Sequence, residues 1–206
     1  LIRERPMPDS QIVTIGVSTG GVDALSRLLS LLPRDLPVPV LVVQHMPDQI
    51  SEELVSRLNQ FSSLPVELAS HDTELRRGIV WLAPGGLNLS VHKQSGALVA
   101  CVERSKAEHF LRPAINVLFR SVADIFRSGV VAVILTGMGC DGVEGCETVK
   151  RRGGRVIAQD QATSKVWEMP SAVIEKGFAD AVLPLDMIAL EIIRMLKEYS
   201  PKVKAS

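Results

Sequence analysis

The chain has little that would mark it for an oxidising exterior, a membrane or a polyanion. It holds only three cysteines in 206 residues. That odd, low number argues against a secreted disulfide framework and fits reduced thiols in a cytoplasm. Cys140 and Cys146 lack the C-x-x-C spacing of a zinc site and no histidine clusters with them, so neither a metal nor another cofactor is expected. Net charge is also missing: 23 Lys and Arg balance 23 Asp and Glu, which disfavours nucleic acid or an anionic membrane surface as the main partner. No apolar run approaches the roughly 18 residues needed to span a bilayer, and the opening LIRERPMPDS has no signal-peptide apolar core. The chain starts on Leu rather than Met, from which a domain cut from a longer protein is expected.

What is present is enough to fold. Hydrophobic residues make up 46% and charged residues 22%, the balance of an ordered globular domain. Residues 1–10 read as a linker or tail, 11–200 as one domain and 201–206 as a second tail. Within the domain, short apolar runs alternate with longer amphipathic ones, the pattern of βα units. Strands are expected at 12–17, 38–44, 65–70, 78–84, 130–136, 155–160 and 179–184. Helices are expected at 22–32, 50–61 (with Ser51 as a cap), from Arg112-Pro113 to about 126, up to Arg152, from Pro170, and at 187–199. Residues 87–103 alternate about a Gln-Ser-Gly turn and predict an antiparallel hairpin. The fold class is therefore α/β: a doubly wound, mostly parallel sheet with helices on both faces and one hairpin. In such sheets ligands sit beyond the carboxyl ends of the strands.

Three of those ends carry reactive groups. The first strand runs into Gly16-Val17-Ser18-Thr19-Gly20-Gly21, the second into Gln44-His45-Met46-Pro47, and the apolar strand at 130–136 into Gly137-Met138-Gly139-Cys140-Asp141-Gly142. A hydroxyl, an imidazole and a carboxylate at one edge are the inventory of a Ser-His-Asp triad. Serine is a weak nucleophile unless a base takes its proton, imidazole suits that task near neutral pH, and a carboxylate orients the ring. The helix after Gly21 and the 137–139 turn offer main-chain N–H groups to a developing oxyanion. Each signal alone has a bland reading: Ser18 as a turn residue, His45 as structural, Asp141 as a helix cap. Their joint occurrence at three strand ends favours chemistry.

IGVSTGG, QHMP, RPAINVLFRS, LTGMGCDG and AQDQATS with MPSA following resemble, in order and across nearly all of 12–199, the motifs of the chemoreceptor protein-glutamate methylesterase family, the CheB catalytic domain. The resemblance implies a doubly wound domain that hydrolyses γ-glutamyl methyl esters on receptor helices in bacterial chemotaxis adaptation. It implies Ser18 as nucleophile, His45 as base and Asp141 as orienting acid. It also implies main-chain N–H groups of Met138 and His45 as oxyanion donors, with Thr19 assisting. The implied partners are methylated chemoreceptor cytoplasmic helices and an N-terminal receiver domain absent from this chain. Five positions depart from the family's usual residues: Asn88, Ala114, Asn116, Lys165 and Glu168. They are expected around the rim, where a receptor helix would dock.

Other groups have plainer readings. Cys140 reads as a small filler, and His71, His92 and His109 as solvated. Lys150, Arg151 and Arg152 read as cations at a helix end, and Asp160 as a turn or pocket residue. Three rival functions stay open: glutamine deamidation by the same triad, a nucleotide-binding module using GVSTGG, and a catalytically dead receptor-binding domain.

Overall fold

The computed structural model describes residues 11–105, 107–108 and 110–199; the expected tails and His109 lie outside the described residues. Element order is β1 (Ile12–Val17), α1 (Gly21–Leu31), β2 (Val40–Gln44), α2 (Ser51–Asn59), β3 (Val66–Leu68), β4 (Thr73–Glu74), β5 (Val80–Leu82), β6 (Asn88–Gln94) and β7 (Ala97–Glu103). It continues with α3 (Ile115–Phe126), β8 (Val130–Ile134), α4 (Val143–Arg151), β9 (Arg155–Gln159), α5 (Glu168–Glu175), β10 (Ala181–Leu183) and α6 (Leu185–Lys197).

Seven strands form one sheet in the order β10-β9-β8-β1-β2-β5-β3, and every pairing in it is parallel. All six residues of β1 are buried, as are all five of β2 and of β8. That is why these segments read as continuous apolar runs rather than alternating ones: helices cover both faces. Alternate residues serve opposite faces. Val40 and Val42 of β2 belong to one core with Leu25, Leu28 and Leu29 of α1, Leu58 of α2 and Ile192 of α6. Leu41 and Val43 belong instead to the core on the other face, with Phe119 and Val122 of α3, Val149 of α4 and Val173 of α5. Each such fully buried aliphatic side chain contributes about 1.5–3 kcal/mol.

The expected hairpin is present as β6 and β7, but β4 joins it, so the antiparallel part is a separate three-stranded sheet. A two-residue strand has no pattern to detect. Leu89 and Val91 of this small sheet point into the α3 side of the core. Three helix starts also differ. The α3 helix begins at Ile115, not at Arg112-Pro113, because Ala114 is still extended at φ −108°, ψ 132°. The α5 helix opens at Glu168, which leaves Pro170 inside the first turn, where its lack of an N–H costs nothing. The α6 helix opens at Leu185. Ser51 does not cap α2: its Oγ donates to the Asp48 carbonyl and accepts the Gly85 amide at 2.9 Å, tying a loop beyond β5 to the helix.

Beyond β1 the chain turns toward β2, and beyond β8 toward β9 on the other side. The point where the winding reverses therefore lies between β1 and β8, and it opens a crevice at their carboxyl ends.

Candidate active site

Ser18 follows β1, His45 follows β2 and Asp141 lies in the loop after β8, so the three predicted residues emerge beside one another along three adjacent strands. The tightest part is the acid arm. Asp141 is 2% exposed. Its Oδ2 accepts His45 Nε2 at 2.8 Å and the Ile115 amide at 2.7 Å, and its Oδ1 accepts the Asn116 amide at 3.0 Å. Those amides are free because they open α3, and the positive end of the helix favours an anion there. An ionised carboxylate only accepts, so the proton on a neutral His45 sits on Nε2 and leaves Nδ1 as the basic nitrogen.

The acid arm is locked from a second side. Asn116 Oδ1 accepts the amides of Gly142 at 3.0 Å and Gly145 at 2.8 Å, which open α4. A side chain from the loop before α4 thus caps α3, and a side chain from the first turn of α3 caps α4. The sequence pattern did not reveal this reciprocal arrangement, since it placed the start of α3 too early.

The Ser18 arm is more open. Ser18 is half-buried, and its amide donates to the Thr136 carbonyl at 3.0 Å. The turn after β8 approaches it so closely that a Cβ on Gly137 would lie 2.8 Å from Ser18 Cβ and 2.3 Å from Met169 Sδ, so only glycine fits. Ser18 Oγ makes no hydrogen bond among the described residues; the structure joins the His45 imidazole to the Asp141 carboxylate and sets Ser18 at the adjacent strand end.

The expected oxyanion donors separate. The His45 amide donates to the Val17 carbonyl at 3.1 Å, continuing the ladder between β1 and β2, so an oxyanion would have to share a proton the sheet already uses. The Met138 amide has no acceptor among the described residues, and the side chain of Met138 is 60% exposed. The next amide, Gly139, donates to Glu168 Oε2 at 2.9 Å, which steadies the turn. Thr19 is exposed, and its carbonyl accepts the Thr136 hydroxyl at 2.9 Å.

The five departures do not all lie at the rim. Asn88, Ala114 and Asn116 are buried. Asn88 Oδ1 accepts the Ala114 amide at 2.9 Å and its Nδ2 donates to Ser105 Oγ, so these three build the approach to α3 rather than a docking surface. Lys165 and Glu168 are exposed as expected.

Among the remaining groups, Cys140 is exposed and fills no space, whereas Cys146 is the buried filler. Burial, and then the charge of Asp141, push the Cys146 thiol far up, so it stays protonated. His71 and His92 are exposed. At the end of α4, Lys150 pairs with Asp180, and Arg152 with Asp124 at 2.7 Å. Asp160 Oδ1 accepts the Thr163 amide and hydroxyl, a turn role.

The chain is also similar to known proteins. A family model described as CheB methylesterase matches residues 13–192. A Trichodesmium erythraeum protein named protein-glutamate methylesterase/protein-glutamine glutaminase is 41% identical over 186 residues, covering 90% of this chain and 53% of the relative. A Nocardioides protein of the same name is 43% identical over 198 residues, covering 96% and 54%. The chain thus spans about half the length of the curated relatives it matches. The crystal structure of the Thermotoga maritima CheB methylesterase catalytic domain superposes with a TM-score of 0.88 at 41% identity, covering 90% of this chain and 98% of that one.

Proposed function

Since the chain belongs to the CheB methylesterase family, we propose that it is a serine hydrolase that removes methyl esters from glutamate side chains of chemoreceptors. The observation that carries this reading is the 2.8 Å contact between His45 Nε2 and an Asp141 held by two helix amides, next to Ser18. Ser18 Oγ attacks the ester carbonyl while His45 Nδ1 takes its proton. The carbonyl oxygen becomes an oxyanion held by the Met138 amide of the turn after β8, with Thr19 beside the nucleophile in the turn after β1. The tetrahedral intermediate collapses, the imidazolium returns the proton to the departing methoxide, and methanol leaves an acyl-enzyme. Water then attacks, His45 takes one of its protons, and the second collapse returns that proton to Ser18 Oγ and releases the glutamic acid side chain, which ionises to the carboxylate and a proton in solvent. Bonds between nucleophile and base commonly shorten only when substrate binds.

A second reading has its own support: the relatives' name includes protein-glutamine glutaminase. With a glutamine substrate the same steps expel ammonia instead of methanol. The methylated receptor helices, a receiver domain preceding the catalytic one and a cytoplasmic location belong to this proposal and rest on the family. No described helix is long and apolar enough to cross a membrane.

The test is turnover of methylated receptor fragments and matched glutamine substrates by the chain and by Ser18→Ala. Methanol release falling about 10⁴-fold or more in the variant is expected, because triad members act as a unit. A variant with near-parental turnover would overturn the assignment, and ammonia without methanol would select the second reading.

A further inference from the structure

One buried polar side chain at the site is not used by the triad. Gln44, the last residue of β2, is 5% exposed. Its Nε2 donates to the Ser18 carbonyl at 3.0 Å and to the His45 carbonyl at 2.9 Å. Both partners are acceptors, which fixes the orientation of the amide with nitrogen toward them. A single nitrogen therefore holds the main chain of the nucleophile and the main chain of the base.

The location explains why a side chain is needed. The parallel ladder between β1 and β2 pairs Val17 with Gln44 and closes with the His45 amide on the Val17 carbonyl. One residue further the strands part so that Ser18 and His45 can face the crevice, and the main chain supplies no further rung. Gln44 adds one. The Ser18 carbonyl also accepts the Gly21 amide at 2.9 Å, so it is held from α1 and from β2 together. Gly21 makes room for this: a Cβ there would lie 2.0 Å from Gln44 Oε1. That Oε1 is itself buried with no partner among the described residues. A buried unpaired amide oxygen is costly, and nothing in the core packing of β2 calls for a glutamine in place of an apolar residue.

We propose that Gln44 is a positioning residue that sets the separation of Ser18 and His45 by bracing their carbonyls on one amide nitrogen. The inference rests on the serine chemistry proposed above. It touches neither substrate nor the reacting atoms, so its removal changes turnover and leaves substrate affinity nearly untouched.

The experiment compares Gln44→Met, which keeps length and burial but has no donor, and Gln44→Glu with the parent chain. The readouts are thermal midpoint, kcat and KM for methanol release, and the rate at which an organophosphonate labels Ser18. Labelling reports activation of the serine without the natural substrate. Gln44→Met is expected to lower kcat and labelling about 10- to 100-fold with KM within about twofold, since a displacement of about 1 Å near the chemistry costs up to about 100-fold. In Gln44→Glu, the ionised carboxylate faces two carbonyls and repels them, whereas the protonated form donates one bond. The ratio of its labelling rate to that of the parent therefore rises as pH falls, at temperatures where both are folded. Should Gln44→Met not fold, that ratio decides. A folded Gln44→Met with parental kcat and labelling, or a Gln44→Glu ratio that is flat with pH, overturns the inference. A parent that neither releases methanol nor is labelled refutes the serine-hydrolase reading instead.

Discussion

The two halves of the site are built to different standards. On the acid side, Asp141 and Asn116 are buried, every Asp141 oxygen is engaged, and two helix starts are capped by side chains from each other's ends. On the opposite side, Met138, Lys165 and Glu168 are exposed, and the Met138 amide has no acceptor among the described residues. The departures from the family's usual residues divide along the same line, three buried and two exposed. A buried polar group must be matched or it destabilises the fold, so Asn88 and Asn116 answer to their own hydrogen-bond partners. Lys165 and Glu168 answer to solvent and to whatever docks. The His45 ring is thus held in advance by the buried side, while the exposed side carries side chains that can change at little structural cost.

The sharpest way to break this contrast is Asp141→Asn. With its oxygen at the Oδ2 place the nitrogen opposes the Asn116 amide, and with its oxygen at the Oδ1 place the nitrogen opposes both the Ile115 amide and a protonated His45 Nε2, donor against donor. The imidazole is then driven to the tautomer with its proton on Nδ1, where the base must be free. We expect kcat to fall by about 10⁴-fold with KM little changed, measured by methanol release. A loss of only a few-fold would mean that the acid arm does not orient the base.

Asn116→Ala tests the same arm one step back. It strips the acceptor from two buried amides, Gly142 and Gly145, and an unsatisfied buried amide costs about 1–3 kcal/mol. With the side chain's unpaired buried Nδ2 also removed, the net loss is expected near 2 kcal/mol, read by urea unfolding. Turnover should drop about tenfold as the Asp141 loop loosens. Unchanged stability would show that the amides find other acceptors and that the reciprocal caps are incidental.

Much of this was legible beforehand, and what was not has physical causes. The large sheet and its crevice follow from apolar runs that burial on two faces requires, and Ser18, His45 and Asp141 stand at ends of those runs. What could not be read is what side chains do across long separations. The Arg-Pro start expected for α3 gave way to Ala114 in extended backbone because the helix begins where Asp141, 26 residues on, can receive its first amides. Gln44 was visible only as a polar residue closing an apolar strand, and its partners depend on where β1 ends. Asn88, Ala114 and Asn116 were assigned to a rim on the strength of residue identity, but burial is decided by the packing of α3 against β6 and α4. For the same reason Cys140 is not the filler expected: it lies in an exposed turn, whereas Cys146, six residues on, is buried on α4.

The smallest effect is expected on the exposed side. Glu168 holds the Gly139 amide at 2.9 Å, one residue past the proposed oxyanion donor, but both groups meet water, which can replace the bond. An exposed contact of this kind is worth a fraction of a buried one. Glu168→Ala should therefore leave the thermal midpoint unchanged and lower kcat by no more than about fivefold. Because it removes one negative charge from the rim, its larger consequence is expected in KM, with a sign that depends on the charge of the docking partner and a size that shrinks in high salt. If Glu168→Ala instead reduced kcat about 100-fold at constant KM, the 137–139 turn would have to be counted with Asp141 and Asn116 as part of the fixed frame. The division between a buried orienting half and a replaceable exposed half would then lie further out than Met138.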